Sequence, residues 1–300
     1  MPSRAATRTS RSRAKRKRAR RIGRPSLRGL ARSVRRLTRR GRRALRGAPR
    51  PVRIVAVIAI AVGVWAAVNW SYQAIRKPSE LFFPVSGVLA KAPAETWRSY
   101  GPLFEEHATR VITPQLLAAL AQVEAAGNPL ARTYWRWRPA RNPFGVYAPA
   151  SSAVGMYQMT DETFREARRW CIHDHVATES CWFNVLYSRV VPSHAIEMTS
   201  GNLDRRVADI LSRHRVPGVT PKRQQDLAAL MHLCGAGAGE AYVRHGFLLS
   251  PRQRCGDHDV AAYLARVDAM KRQFDRLAAA SVPRVEPARL GHLVPSAPIP

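Results

Sequence analysis

The sequence predicts a mainly α-helical protein, in which one membrane-spanning helix precedes one helical domain. Three observations carry this expectation. The 22 residues from Ile54 to Ile75 bear no charge. From Ala94 to Ala280 apolar residues recur at helical spacing, in segments that open and close on capping residues. Alternation of the strand kind is nearly missing from the same region.

Charge divides the chain before any motif does. Residues 1–53 carry 22 Lys/Arg and no acid, and the first acidic residue is Glu80. Setting those 22 aside leaves 28 bases against 20 acids, so residues 54–300 have a net charge of only +8 out of the total of +30. With too few apolar residues for a core, the arm 1–53 is expected to be disordered. Its charge suits anionic lipid or nucleic acid. No fold motif and no interleaved aromatics favour nucleic acid, so the arm reads first as a topology signal.

The uncharged stretch 54–75 would span roughly 33 Å at ~1.5 Å per residue, enough for a hydrocarbon core of about 30 Å. Trp65, Trp70 and Tyr72 lie toward its far end, where aromatics favour the interface. A cleaved signal peptide is the alternative. The basic region before it is far too long for one, and no clear small-x-small site follows. The basic excess places the N-terminus in the cytoplasm and everything after residue 75 on the other side.

Residues 76–93, with Pro78, Pro84 and Pro93, read as a stalk. The domain is expected over 94–280, ample for one core. A first helix covers Ala94–Val111, with a break at Gly101-Pro102. The next runs from Thr113 to Asn128. Further helices are expected at Asp161–Trp170 behind the cap Thr160, Ser193–Ser212 (interrupted near Gly201), Pro221–Leu233 behind the cap Thr220, and His258–Ala280. The tail 281–300, with Pro283, Pro287, Pro295, Pro298 and Pro300, reads as disordered.

Four cysteines, Cys171, Cys181, Cys234 and Cys255, all follow the span. An even number on the far side of a membrane suggests two disulfides. Three pairings are possible, and the two local ones, Cys171–Cys181 and Cys234–Cys255, are favoured. Zinc is the competing reading, since His173, His175, His232 and His258 lie close by. No C-x-x-C or H-x-x-x-H pair is present, so no metal or other cofactor is expected.

The segment Thr113–Asn128, TPQLLAALAQVEAAGN, is the best-marked helix. Thr113 is a good N-cap, Pro114 suits the first helical position, and Gly127 with Asn128-Pro129 closes it. Leu116, Leu117, Leu120 and Val123 form the buried stripe. Glu124 falls on that stripe, one turn from the end. A carboxylate partly withdrawn from water can hold a proton near neutral pH, which a general acid requires. Some thirty residues on comes Gly155-Met156-Tyr157-Gln158-Met159-Thr160, followed by Asp161 and Glu162 at a helix start. Between the two lies an aromatic, basic insert containing Trp135, Arg136, Trp137 and Arg138. Its rings could pack on sugar faces and its guanidinium groups could hold carboxylates. Ordinary packing is the other reading of each tryptophan.

The pair Q-V-E-x-x-G-N-P and G-M-Y-Q-M-T resembles the lytic transglycosylases, lysozyme-like bacterial enzymes that cleave peptidoglycan. The resemblance covers roughly Phe104–Met270. It implies a lysozyme-like helical domain and no cofactor, with Glu124 as the catalytic acid and Gly155, Met156, Tyr157 and Gln158 along the sugar cleft. Tyr263, in Tyr263-Leu264-Ala265-Arg266-Val267, matches the tyrosine of a late Y-V-x-R-V helix. Two residues depart from the pattern. Ala125 stands where the family usually has Ser, and His232-Leu233 stand where it has Tyr-Asn.

The implied reaction is cleavage of the β-1,4 MurNAc–GlcNAc bond by one carboxylate, leaving 1,6-anhydro ends. Its setting would be the periplasmic face of the inner membrane, with peptidoglycan strands as the partner. A lysozyme-type hydrolase and a noncatalytic peptidoglycan-binding or envelope-assembly protein are the alternatives.

Overall fold

The structure, a computed structural model, describes residues 45–82 and 87–281. The basic arm up to residue 44 and the proline-rich tail from residue 282 lie outside the described residues. The protein is mainly helical. Helix α1, Arg50–Arg76, is long and apolar enough to cross a membrane, with a mean hydropathy of 2.2 and none of its apolar window buried. The chain divides into two compact units between Ala67 and Val68, so the last residues of α1 belong with the helical domain.

Those last residues are anchored there. Asn69 Nδ2 donates to the Tyr147 carbonyl at 2.7 Å, and Gln73 Nε2 donates to the Phe144 carbonyl at 2.6 Å. The expected stalk is likewise held where it leaves the helix. Lys77 Nζ donates to the carbonyls of Ser151 and Ala153 at 3.1 and 3.0 Å. Glu80 is fully buried, and its Oε2 accepts from Arg132 Nη1 and Trp135 Nε1, both at 2.8 Å. A buried carboxylate needs such partners. Residues 77–82 therefore behave as part of the domain, in contrast to the stalk expected over 76–93.

Helix α2, Pro93–Glu106, runs through Gly101-Pro102 without the expected break. Pro102 forfeits one backbone bond, but the Trp97 ring, which a Cβ added at Gly101 would meet at 3.5 Å, packs on this turn and stacks with Phe104. The helix ends earlier than expected because the Thr109 hydroxyl takes over the backbone. It accepts from the Val111 and Ile112 N–H groups and donates to Asp204 at 2.6 Å.

Helix α3, Pro114–Ala125, is capped as its sequence predicts. Thr113 Oγ1 accepts from the Leu116 N–H, and both Ala126 and Gly127 adopt left-handed backbone. Leu116 through Ala121 are all fully buried, so α3 is buried around its circumference and not only along one stripe. It packs chiefly on α2 and on α8, Val260–Ser281.

Helix α4, Asp161–Ala167, opens on the cap Thr160. Helix α5, Pro192–Arg213, continues through Gly201, where an added Cβ would lie 2.9 Å from Trp170 Cβ. Close packing thus explains a glycine that reads as an interruption. Helix α6, Pro221–Cys234, is followed after Gly235 by α7, Ala236–Arg244, which the sequence does not announce. Its glycines lower helix propensity by about 1 kcal/mol each. Gly239, however, lets α7 sit directly on α6, since a Cβ there would lie 2.5 Å from Met231 Cγ.

Three short antiparallel hairpins complete the domain. They are β1–β2 (Trp135–Trp137 with Tyr147–Pro149), β3–β4 (Cys171–His173 with Val176–Thr178) and β5–β6 (Arg254–Cys255 with His258–Asp259). The disulfides are the two local pairs, Cys171–Cys181 and Cys234–Cys255. The second ties β5 to the end of α6 across 21 residues. Replacing both of its cysteines by serine is expected to cost about 2–4 kcal/mol, because the unfolded chain regains loop freedom. Chemical denaturation of the oxidised protein and the variant would measure this, and an unchanged midpoint would refute it.

Candidate active site

Three helix ends converge on Glu124. The carboxylate stands in the last turn of α3, Tyr263 in the first turns of α8, and His232 in the last turn of α6. The α3–α8 packing brings the Tyr263 hydroxyl to Glu124 Oε1, to which it donates at 2.6 Å. Tyr263 is buried, and burial first and the Glu124 charge second push its pKa well above the ordinary tyrosine range. It therefore remains a protonated donor and fixes one carboxylate oxygen. His232 Nε2 lies 3.9 Å from the same oxygen. Burial holds its pKa below the usual histidine value despite the pull of Glu124, so the ring is neutral at pH 7. The Glu124 side chain itself keeps 17 % of its surface exposed.

The segment Gly155–Thr160 forms the facing wall. Gly155 has φ +83°, and a Cβ there would lie 2.2 Å from the Arg189 carbonyl oxygen. Met156 and Tyr157 point into the core, where the Tyr157 hydroxyl donates to the Leu117 carbonyl at 3.2 Å. This bond ties the turn to α3. Gln158 adopts left-handed backbone (φ 45°), and its amide donates to the Gly155 carbonyl at 2.9 Å. A non-glycine residue in that region stores strain that the surrounding structure must hold. Gly155→Ala is expected to destabilise the domain by more than 1 kcal/mol, roughly the cost of a Cβ where φ is positive. Denaturation midpoints would show it, and a neutral substitution would refute the tight turn.

Glu124, Tyr157, Gln158, Thr160, His232 and Leu233 line an open cleft of about 510 Å³, whose lining the Cys234–Cys255 disulfide, Gly256 and His258 complete. A second cavity of about 390 Å³ shares Gln158, Thr160, His232 and Leu233 with it, and continues along Glu162, Thr163 and Arg206. Asn202, 2 % exposed, lines this second cavity, and its Oδ1 has no hydrogen-bond partner among the described residues. The shared residues join the two into one groove, which Glu124 lines on the side of the first cleft. Compared with models of known protein families and with curated proteins, the chain matches none. What the site can do therefore rests on its own chemistry.

The residues expected at the site divide into three groups. Glu124, Tyr157, Gln158 and Tyr263 come together. Gly155 and Met156 shape the turn from behind without lining the cleft. Trp135 and Trp137 are not among the residues lining either cavity. Trp135 uses its indole N–H on Glu80, and Trp137 stacks on Tyr147 at 4.6 Å between ring centres. Trp135 thus belongs to the clamp around the end of α1, while Trp137, 67 % exposed, lies outside both cavities, so neither stands beside Glu124.

Asp161 is paired with Arg189 at 2.8 Å, whereas Glu162 is exposed on the groove wall. Thr160, Thr163 and Arg206 also line the groove, and the sequence marks none of them as a site residue. Thr160 was visible only as a helix cap. Arg206 pairs with Glu166 from α4, a contact that local sequence cannot reveal. Among the described residues no cluster of three or more His, Cys, Asp or Glu is placed to hold a metal ion.

Proposed function

We propose that this chain is a membrane-anchored lytic transglycosylase with a lysozyme-like helical domain, which cleaves the β-1,4 MurNAc–GlcNAc bond of peptidoglycan. The observation that carries the reading is Glu124, largely shielded at the edge of a groove and held at one oxygen by the Tyr263 hydroxyl at 2.6 Å. In this reading the protonated Glu124 donates to the glycosidic oxygen as the C1–O bond breaks. Its carboxylate then takes the proton of the muramic acid C6 hydroxyl as O6 bonds to C1. The product is a 1,6-anhydro ring, water is not consumed, and Glu124 ends protonated as it began. Neutral His232 adds no positive charge beside the carboxylate.

Hydrolysis is the second reading, favoured by one observation. Glu162 lies on the same groove, where a second carboxylate could direct water. Mass spectrometry of the muropeptides released by the full chain separates the readings. Anhydro ends support transglycosylation, reducing ends support hydrolysis, and no release leaves a glycan-binding protein.

The anchor reading assigns α1 to the inner membrane, with the basic arm in the cytoplasm beside anionic lipid and the domain in the periplasm. Two disulfides suit that compartment. A periplasm-dependent reporter fused after Pro300 is expected to be active. Activity from a cytoplasm-dependent reporter alone would reverse the orientation.

A further inference from the structure

An exposed apolar loop follows the first disulfide and has no role in the groove. Trp182, Phe183, Val185 and Leu186 are 82 %, 72 %, 75 % and 70 % exposed, four large apolar side chains within five residues. Such a run is unusual on a water-facing surface and marks a contact surface. The loop is also held in shape. The Cys171–Cys181 bond fixes its start, and Phe183 adopts left-handed backbone (φ 61°) ahead of the short 3-10 turn Asn184–Leu186.

Its position indicates what covers it. The residues that follow directly, Tyr187–Val190, line one cavity together with Arg76, Lys77, Pro78 and Ser79, where the chain leaves α1. Ile75 and Leu81, on either side of that exit, are themselves 81 % and 56 % exposed. The loop is therefore joined, through Tyr187–Val190, to the cavity beside the end of the helix reading as a membrane span. Trp and Phe are residue types that settle at the headgroup boundary, and Arg76 and Arg189 border the same cavity, as suits anionic headgroups. Arg189 is partly neutralised by Asp161, and Arg76 lies against the Tyr72 ring, so the attraction is mainly apolar.

We infer that the loop Trp182–Leu186 inserts into the interface of the bilayer that α1 spans, giving the domain a second, non-covalent membrane contact. It would fix the tilt of the domain at the membrane surface rather than leave it swinging on a tether. The inference rests on α1 being a membrane span, and the test keeps the two apart. The full chain is reconstituted in vesicles of phosphatidylethanolamine and phosphatidylglycerol with a benzophenone amino acid at Phe183. Parallel samples carry the probe at Val62 in α1 and at Leu248, an exposed apolar residue after α7. Lipid adducts after illumination are counted by mass spectrometry. The expected result is adduct yield at Phe183 several-fold above Leu248 and approaching Val62. Adducts at Val62 with Phe183 at the Leu248 level would overturn the docking and leave the anchor standing. Absence of adducts at both Val62 and Phe183 would overturn both. Crosslinks from Phe183 to a second protein chain in place of lipid would overturn the docking in favour of a protein interface.

Discussion

Glu124→Gln is expected to lower glycan cleavage by ~10²–10⁴-fold, the usual worth of general acid catalysis. The amide keeps the shape of the side chain and can still accept from the Tyr263 hydroxyl, so the α3–α8 contact and the fold should survive. Glycan binding should persist as well, because the groove is lined mainly by other residues. The measurement is muropeptide release per unit of folded protein, set beside a glycan pull-down. Release at the native rate would remove Glu124 from the chemistry. If Glu162→Gln abolished release instead, the reacting carboxylate would move across the groove to α4.

Glu80→Ala is expected to produce the largest loss of stability, about 3–5 kcal/mol, because it removes one side of a buried ionic contact. Glu80 is fully buried, while Arg132 and Lys77 beside it are 14 % and 12 % exposed. Burial already holds the Lys77 ammonium below its ordinary pKa, against the raising effect of Glu80. Without that carboxylate, Lys77 and Arg132 would face each other and the Trp135 indole N–H would lose its acceptor. Glu80→Gln should cost less, since an amide oxygen can still accept from Arg132 and Trp135. Denaturant titration of the three proteins gives the order wild type, Gln, Ala. A loss below 1 kcal/mol for Glu80→Ala would show that the segment after α1 is not clamped.

The helices legible in the sequence are those whose signals are local. Thr113, Pro114 and Gly127 set both ends of α3 within sixteen residues, and each acts on backbone groups next to it. The same holds for Thr160 before α4 and Thr220 before α6. Glycine and proline mislead where a distant side chain answers them. Gly201 reads as a gap until Trp170 occupies its missing Cβ, Pro102 as a break until Trp97 and Phe104 brace the turn, and α7 is hidden until Met231 packs on Gly239. The hairpin strands, of two or three residues each, are too short to alternate visibly.

Glu124 was identifiable as a candidate acid because its place on α3 and the G-M-Y-Q segment are both written in the chain. Its hydroxyl donor lies 139 residues away, and only the α3–α8 packing assigns Tyr263 to it. Trp135 shows the reverse. Its residue type suits a sugar face, but a carboxylate 55 residues earlier takes its N–H and places it in a structural clamp. By itself the sequence determined the apolar span, the charge boundary, the helical class and the caps, since each depends on composition or on neighbours a few residues apart. Tertiary structure decided which side chains share the groove and which brace the end of α1, because burial and hydrogen-bond partnership depend on residues that meet only when distant segments pack together.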